Sequence, residues 1–571
     1  MISETNPISM PSANRRAQTN ARAKALGRRL LAFWACALLG VVLRPAGAHA
    51  STAAKAPATE AADAADDESP SKSDAALKAA RQASDRKDFD RAAAILRGAL
   101  RDDPNNKEML SLLARVLAWS RHFDEPIATY RKLLARHPDD AYDRAGYARA
   151  LAWSGRSSAS IPEFRRAIAQ DPADLESRIG YAHAQSWYGD LAGASDEYMR
   201  VLAANPRNGD AWLGLATVAR WRDAPTASDA FAEQAASRGA DAEALQEERE
   251  ATRQALRPAA GTGWTRTRER QITSDSTAFK LETVGQFVEG RTTLARTFGL
   301  AVRATRLHHW EKNPGLPTDT TLNYDLTSTG FRGDVSYLRR YPLQIAAGVA
   351  YQRFEGRNPT VLFPLGSDDD FFGFNARVWG YAGRLTPSAG VRRDFIAIKE
   401  TDAVTGVRKL VPGGMTSTDL GLRWDWSGRG SVNGAFSRAS YTDDNDRTSV
   451  GGTVAYRLNT AQPRLTLDYG LTWSDFSKPS SSYFTPLESV RHAAGLGLTG
   501  YSERSSLDYG ARYEFSFMQS ANFADIASNA WSAYVNESLL DGIPLGLEGY
   551  YSVDNHAYRT WGLTLSGSVR W

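Results

Sequence analysis

The phrase "ARVLAWSRHFD" (Ala114–Asp124) returns as "ARALAWSGRSS" (Ala148–Ser158), 34 residues further along the chain. The tryptophan of this phrase recurs every 34 residues at four positions: Trp119, Trp153, Trp187 and Trp221. A proline series runs beside it with the same interval, at Pro104, Pro138, Pro172 and Pro206. Two residue types that keep one period predict a repeated structural unit.

The whole chain is long and nearly balanced in charge. Its 571 residues exceed one ordinary domain, which predicts a multidomain protein. Lys and Arg number 69 against 65 Asp and Glu, so the net charge of +4 indicates no nucleic-acid partner. The single cysteine, Cys36, lies in a segment that we expect to be removed. The mature chain is therefore expected to lack disulfides and cysteine metal sites.

Residues 1–50 are predicted to be a signal peptide. The beginning is rich in arginine, "LLAFWACALLGVVL" (Leu30–Leu43) is apolar, and Ala48-His49-Ala50 is a small-x-small cleavage site. Residues 51–73 are mostly small or acidic and contain almost no large apolar side chain. Because such a segment cannot bury enough surface to order itself, we expect a disordered, Ala- and Asp-rich linker there.

A 34-residue helix–turn–helix unit is typical of the tetratricopeptide repeat. The unit that starts at Lys107 has small and aliphatic residues on its first helix, an aromatic residue on its second and a helix-breaking proline at its end: Leu113, Ala114, Leu117, Tyr130 and Pro138. The next two units keep this pattern with Tyr147, Ala148, Leu151, Phe164 and Pro172, and then with Tyr181, Ala182, Ala194, Tyr198 and Pro206. Residues 74–242 closely resemble the tetratricopeptide repeat family, and this resemblance implies an all-α solenoid.

The recurring tryptophan suggests a binding surface. In the tetratricopeptide family the end of the first helix borders the concave groove. The residues four positions earlier share the face of each tryptophan, and they are Arg115, Arg149, His183 and Thr217. One interpretation is a ligand groove for an extended polymer or peptide, formed by Trp119, Trp153, Trp187, Trp221, Arg115, Arg149 and His183. The alternative is that each tryptophan fills space at the helix turn.

After a connector at residues 243–261, the period changes from helical to alternating. In "RLTLDYGLTWSDF" (Arg464–Phe476), large apolar residues occupy one face while Thr, Asp, Gly and Ser occupy the other. A soluble sandwich also alternates, but its strands are shorter. Here the segments have about ten residues and aromatic residues near their ends, as membrane-spanning strands do. Residues 262–571 are therefore predicted to form an antiparallel transmembrane β-barrel of roughly 14–16 strands.

The last strand and the polar faces complete this prediction. "WGLTLSGSVRW" (Trp561–Trp571) ends on an outward aromatic residue, and Trp571 resembles the C-terminal assembly signal of bacterial outer-membrane barrels. The polar faces of several segments are predicted to line the lumen, with glycine leaving room between charged residues. The predicted lumen residues are Arg423, Asp425, Asp468, Asp508, Arg512, Glu514 and Glu548.

The sequence predicts no enzyme, cofactor or metal site. No nucleophile elbow, P-loop, zinc spacing or dinucleotide fingerprint occurs. His308 and His309 are adjacent, so on a strand they point to opposite faces and cannot chelate one ion together. The acidic stretches at 368–370 and 443–446 lack the spacing of a known calcium loop, so we interpret them as turns.

Repeats that lead into a C-terminal barrel resemble the outer-membrane exporters of bacterial exopolysaccharides and the YaiO-type barrel family. The resemblance implies a pore for polymer export, with repeats that guide the polymer or dock periplasmic proteins. It also implies an outer-membrane location with periplasmic repeats, and outer-membrane lipids and the barrel-assembly machinery as partners. The alternative is a barrel-anchored interaction protein, which would act as a scaffold or as a surface receptor or adhesin without export.

Overall fold

The computed structural model describes residues 72–273, 276–295, 297–311, 325–337, 343–356, 370–401, 408–459, 462–480, 484–502, 506–540 and 543–571. The predicted signal peptide, Cys36 and the predicted linker up to residue 71 lie outside the described residues. Contacts divide the described chain into two units. The helical unit contains residues up to 218 together with 234–241, and the barrel unit contains residues 219–233 and 242–571.

Residues 72–256 form eleven helices, most of them in antiparallel pairs. Their bounds are α1 Lys72–Asp85, α2 Phe89–Ala99, α3 Lys107–Trp119, α4 Asp124–Arg136, α5 Ala141–Trp153, α6 Ser157–Gln170, α7 Leu175–Tyr188, α8 Leu191–Ala204, α9 Gly209–Trp221, α10 Pro225–Ala236 and α11 Ala242–Leu256. Helix α1 begins at Lys72, just inside the predicted linker. Helices α4 and α6 end shortly before Pro138 and Pro172, as the proline series predicts.

Each first helix of a repeat begins at a side-chain cap with the 34-residue period. The cap oxygen accepts a backbone N–H of the first helical turn at 2.8–3.1 Å, and the capping residues are Asn106, Asp140, Asp174 and Asn208. Since the first N–H groups of a helix have no partner inside it, these caps fix where each repeat starts.

Consecutive repeats pack through an aromatic ring against a glycine. Tyr130, Phe164 and Tyr198 are almost fully buried on the second helices. A Cβ on the facing glycine would come within 2.2–2.8 Å of these rings, so the ring occupies the space that a side chain would need. The three pairs keep the period: Tyr130 with Gly146, Phe164 with Gly180, and Tyr198 with Gly214. The repeat fold predicted from the sequence is confirmed.

The predicted connector is largely a helix. Helix α11 covers residues that were predicted to link the domains, and the first strand begins at Ala259 rather than at residue 262. The carboxylate of Glu248 in α11 is buried, and it accepts hydrogen bonds from Arg220 at 2.7 and 3.0 Å and from Ser228 at 3.0 Å. These tertiary contacts stabilise a charged segment that carries no repeat signature. No helix of the described residues combines the length and the apolar character needed to cross a membrane.

Sixteen described strands form one closed antiparallel barrel, in which each strand pairs with its neighbours in sequence and β1 pairs with β16. Their bounds are β1 Ala259–Thr273, β2 Ser276–Leu294, β3 Phe298–Glu311, β4 Asp325–Tyr337, β5 Leu343–Gly356, β6 Asp370–Gly380, β7 Leu385–Thr401, β8 Arg408–Asp425, β9 Gly430–Tyr441, β10 Asp446–Arg457, β11 Arg464–Phe476, β12 Ser489–Ser502, β13 Leu507–Gln519, β14 Ile526–Leu540, β15 Ile543–Asp554 and β16 Tyr558–Arg570. The predicted fold class is confirmed, and the strand number lies at the upper end of the predicted range.

The two ends of the barrel differ in their connections. At the terminal end, where β1 begins and β16 ends, strands join through short segments such as 381–384 and 426–429. The opposite end, which we call the loop end, carries the longer segments 312–324, 357–369, 477–488 and 520–525.

The two faces of the barrel wall differ in composition. Large apolar side chains on one face are exposed, among them Val288, Val349, Phe372, Leu467 and Leu547. On the other face, polar side chains bridge strands that are not neighbours: Arg512 of β13 reaches Asp468 of β11, and Asn375 of β6 reaches Asp334 of β4. Side chains converge only on the concave side of a closed sheet, so the polar face is the lumen and the apolar face points outward.

Candidate functional site

Three of the four repeated tryptophans line one pocket of the helical unit. Trp119 and Trp153 are the last residues of α3 and α5, and Trp187 is the last but one of α7. Together with Arg121, Phe123 and Ser157 they bound a volume of about 650 Å³. The three residues are 42%, 40% and 45% exposed. Each therefore packs one part of its ring against the repeats and presents the rest to solvent, as a stacking surface requires.

The fourth tryptophan, Trp221, ends helix α9 in the corresponding position of its repeat and is 41% exposed. It belongs to the barrel unit, so the pocket described for the helical unit contains only the first three. Trp119 also has a packing role, because its ring centre lies 5.7 Å from that of Phe89.

The two predicted arginines lie beside the tryptophans rather than in the lining of the pocket. The guanidinium of Arg115 lies 5.3 Å from the ring centre of Trp119 and 5.7 Å from that of Tyr142, and it donates to the Tyr142 hydroxyl. Arg149 forms an ion pair with Glu176 at 3.7 Å. Arg115 thus holds Trp119 from one side through a cation–π contact, which fixes the orientation of its ring.

His183 differs from its predicted role as a groove residue. Its ring stacks on Trp187 at 5.7 Å with an interplanar angle of 21°, and its Nδ1 shares a hydrogen bond of 2.9 Å with the hydroxyl of Tyr198. Burial lowers the pKa of His183 from 6.5 to about 4. The neutral imidazole of His183 therefore packs against the indole ring of Trp187. The spacing along α7 predicts that His183 lies on the same face as Trp187. It does not predict the contact with Tyr198, because that residue lies on the next helix, α8.

The best-connected group of the lumen is centred on Arg512. Its guanidinium donates two hydrogen bonds to Asp468, at 2.5 and 2.7 Å, and one to Glu514 at 3.0 Å. Glu514 also accepts from Arg491 at 2.6 Å. Gly495 lies between Asp468 and Glu514 in the register, and a Cβ there would meet the Arg512 guanidinium at 2.4 Å. A glycine therefore makes room for a charge network across three strands.

The register places the other predicted lumen residues on the same inward face. Arg423 donates to Asp425 at 2.9 Å, and the hydroxyl of Tyr534 reaches Asp508 at 3.4 Å. Glu548 lies opposite Tyr534 in the ladder of β14 and β15. Arg423 thus offsets the charge of Asp425, whereas Asp508 and Glu548 lie beside the uncharged side chain of Tyr534.

Further charged side chains of the lumen lie on strands for which the sequence predicted no lumen residue. Arg332 and Asp334 form an ion pair at 2.8 Å, and both line a pocket of about 600 Å³ in the wall with Glu289 and Arg303. Arg491 on β12 is another such residue. The alternation of polar or charged residues with apolar ones in "GFRGDVSY" and "SVRHAAGLG" is the sequence pattern that indicates these lumen positions.

Three other sequence predictions concern chemistry and assembly. Within the described ranges, no three His, Cys, Asp or Glu side chains lie close enough to hold a metal ion. His308 and His309 lie on opposite faces of β3, and their hydroxyl partners are Thr327 and Thr283, respectively. Trp571 is 65% exposed after the end of β16, where its N–H donates to the Pro258 carbonyl at 3.3 Å.

Comparison with known proteins identifies the repeats. Residues 83–150 match the tetratricopeptide repeat family model. A solved bacterial polysaccharide outer membrane secretin is 10% identical, with a TM-score of 0.39 over 55% of this chain and 99% of its own. PilW, a type IV pilus biogenesis factor, is 20% identical with a TM-score of 0.29 over 33% of this chain and 92% of its own. PilF of Pseudomonas aeruginosa is 19% identical with a TM-score of 0.27 over 32% of this chain and 87% of its own.

The curated proteins include none whose sequence matches this chain. The match at residues 83–150 and the closed barrel agree with the two parts that the sequence predicts. A closed barrel with an apolar outer face fits the outer membrane. The chain thus combines a helical region, in which residues 83–150 match the tetratricopeptide repeat family model, with a closed antiparallel barrel of sixteen described strands.

Proposed function

We propose that the protein is an outer-membrane pore that exports an exopolysaccharide, and that its repeats guide the polymer on the periplasmic side. The pocket of Trp119, Trp153 and Trp187 carries this proposal. A barrel alone fits a channel for many solutes, whereas a row of half-exposed indole rings is a surface on which sugar rings stack. The repetition of the ring in successive repeats suits a polymer that itself repeats.

The connectivity supports the direction of transport in this proposal. Strand β1 follows the helices in the sequence and begins at the terminal end of the barrel. In outer-membrane barrels the short turns face the periplasm and the long loops face outward. With the loop end outside, the repeats lie in the periplasm, where they meet the polymer before it enters the barrel.

The lumen favours a neutral or cationic polymer. Of the seven predicted lumen residues, two are basic and five are acidic, and the network around Arg512 neutralises part of this excess. Space remains beside these charges at the inward Gly497, where an added Cβ would meet only the Thr466 carbonyl oxygen, at 3.9 Å. A polyuronate would meet repulsion from Asp508 and Glu548, whereas an uncharged or amino sugar would not.

Binding of defined oligosaccharides to the full chain tests the proposal. We expect neutral or amino-sugar oligomers to bind in detergent and the Trp153→Ala and Trp187→Ala variants to lose most of that binding. Trp212 is the matched control, because it stacks on Arg238 at 5.3 Å and does not line the pocket. Equal losses in the Trp212→Ala variant would contradict a role of the pocket in binding.

The second candidate function is a barrel-anchored scaffold whose repeats bind an extended peptide. The repeat fold itself favours it, because paired helices with a concave surface commonly hold peptides. The two candidates differ in their requirement for an open lumen. A purified protein that binds peptides through the tryptophan pocket but conducts no ions in a planar bilayer would support the scaffold and contradict the pore.

A further inference from the structure

The outward face of the barrel carries a basic cluster near the loop end, on β16, β1 and β2. Alternation in "WTRTRER" (Trp264–Arg270) puts Arg266, Arg268 and Arg270 on one face of β1. In the register, Arg266 lies opposite Leu563 and Arg268 opposite Trp561. Leu565 of the same face of β16 is 47% exposed and belongs to the outward apolar wall. The arginines therefore face the membrane side rather than the lumen.

The cluster lies at the height of the lipid headgroups. The outward apolar residues of β16 run from Val569 to Trp561, and at the usual rise and tilt of a barrel strand this stretch covers about 20 Å. That is close to the apolar band of an outer-membrane barrel, roughly 25 Å. The ring centre of Trp561 lies 5.8 Å from the guanidinium of Arg266 and 5.5 Å from that of Arg268. Tryptophan is typical of the membrane interface, where its ring meets the headgroup level.

The cluster contains one buried carboxylate and an excess of positive charge. Glu282 is 2% exposed, and it accepts hydrogen bonds from Arg266 at 2.6 Å and from Arg268 at 3.1 Å. Its single negative charge neutralises only one of the two arginines. The cluster therefore carries a positive charge before Arg270 and Arg559 are considered.

Arg270 and Arg559 are direct cross-strand partners on β1 and β16. Like charges in this position destabilise a sheet. No ion pair joins either residue to a carboxylate within the part of the chain that the structure describes. Elsewhere on the outward face near the loop end, arginines do have carboxylate partners: Arg353 pairs with Glu355 at 3.7 Å and Arg438 with Asp446 at 3.8 Å. The repulsion between Arg270 and Arg559 is relieved if an external anion lies between them.

We propose that Arg268, Arg270 and Arg559 bind a phosphate group of a lipid in the leaflet at the loop end. Arginine presents a planar fork of donors that matches phosphate oxygens, and a phosphate at the headgroup level would lie between two guanidinium groups that otherwise repel each other. The indole of Trp561 marks the depth at which the acyl chains begin. The lipid thereby holds this sector of the wall, which includes the closing pair of strands, β1 and β16.

The experiment uses the full chain in mixed micelles with fluorescent, bisphosphorylated lipid A, and binding is measured by anisotropy. We expect the double variant Arg270→Gln/Arg559→Gln to raise the Kd at least tenfold, since two charge-assisted contacts are lost. The double variant leaves both arginines that donate to Glu282, Arg266 and Arg268, in place. Arg438→Gln on β9, which lies across the barrel, is the matched control and should leave the Kd within about twofold.

A second variant separates binding from folding. Arg559→Glu creates an ion pair with Arg270, so the lipid-free barrel should melt no lower than the wild type while its lipid binding is lost. Equal binding of lipid A from which the phosphates have been removed, or an equal effect of Arg438→Gln, would overturn the proposal. Full competition by inorganic phosphate at millimolar concentration would show a site for free anions and would overturn the assignment to a lipid.

The proposal rests on the membrane orientation of the proposed function but not on export. Lipid binding is measured without polymer, and oligosaccharide binding is measured without lipid A. Loss of lipid binding in Arg270→Gln/Arg559→Gln with normal oligosaccharide binding would therefore confirm this site alone. Failure of oligosaccharide binding with normal lipid binding would contradict the export function alone.

Discussion

Acidification should weaken the repeats through His183. The pKa of this buried ring is lowered to about 4 from an unfolded value near 6.5, because burial disfavours the charged imidazolium. The folded chain therefore binds fewer protons at this site than the unfolded chain between these two values. Stability is fully present above pH 6.5 and is lost as the pH falls towards the folded pKa.

The magnitude follows from the size of the shift. The difference between about 4 and 6.5 corresponds to roughly 3 kcal/mol once the pH lies below both pKa values, and about 2 kcal/mol is already lost between pH 7 and pH 5. Asp143 acts in the opposite direction at lower pH. Burial raises the pKa of its carboxyl, so this group favours the folded state as the pH falls through the raised pKa.

The assay is urea unfolding of the repeats in the intact protein at pH 7 and at pH 5, with the helical circular-dichroism signal as the readout. In the His183→Gln variant, the amide can still bond to Tyr198 but does not titrate, so most of the difference between the two pH values should vanish. An unchanged difference in this variant would refute the assignment to His183. A wild-type free energy of unfolding that stays constant between pH 7 and pH 5 would refute the burial argument itself.

Three further predictions concern packing, assembly and the pocket. Gly180→Ala places a methyl carbon 2.8 Å from the ring of Phe164, so urea unfolding should show a loss of roughly 1–3 kcal/mol. Trp571→Asp puts a charge at the outward end of the last strand, and the heat-modifiable barrel band on unboiled gels should become much weaker. Trp153→Ala should reduce oligosaccharide affinity roughly tenfold, measured by calorimetry, because a stacking surface is removed.

Matched variants give the outcomes that would contradict these predictions. A methyl group on Gly98 meets nothing within 4 Å, so Gly98→Ala should leave the free energy of unfolding unchanged or raise it. An equal loss in Gly98→Ala and Gly180→Ala would rule out the ring contact as the cause. Trp571→Phe keeps an outward aromatic residue and should assemble normally. Normal barrel levels in Trp571→Asp would show that the terminal aromatic residue is not an assembly signal.

The repeats were largely predictable because their stabilising contacts recur with the sequence period. Caps, buried aromatic rings and breaking prolines each return after 34 residues, so one repeat predicts the next. Helix α11 was not predictable in this way. Its stability comes from the contacts of Glu248 with Arg220 and Ser228, which are distant in sequence and have no counterpart in the other repeats.

The barrel was predictable as a class and in the faces of its strands, since alternation needs only the sequence of one strand. Its ion pairs were not, because they depend on the register between strands. Asp468 and Arg512 meet across Gly495 only when β11, β12 and β13 pair as they do. The position of Trp153 at a helix end was also predictable, whereas its place in one pocket with Trp119 and Trp187 depends on how the repeats stack.

Current through single barrels in a planar bilayer tests the export pore most directly. With the full chain inserted, we predict a steady ion current and transient blocks when a neutral or amino-sugar oligomer is added on the side of the repeats. In the Trp153→Ala/Trp187→Ala variant, the current should persist while the blocks become rarer. A wild-type barrel that carries no current, or blocks that occur equally often in the variant, would contradict the account.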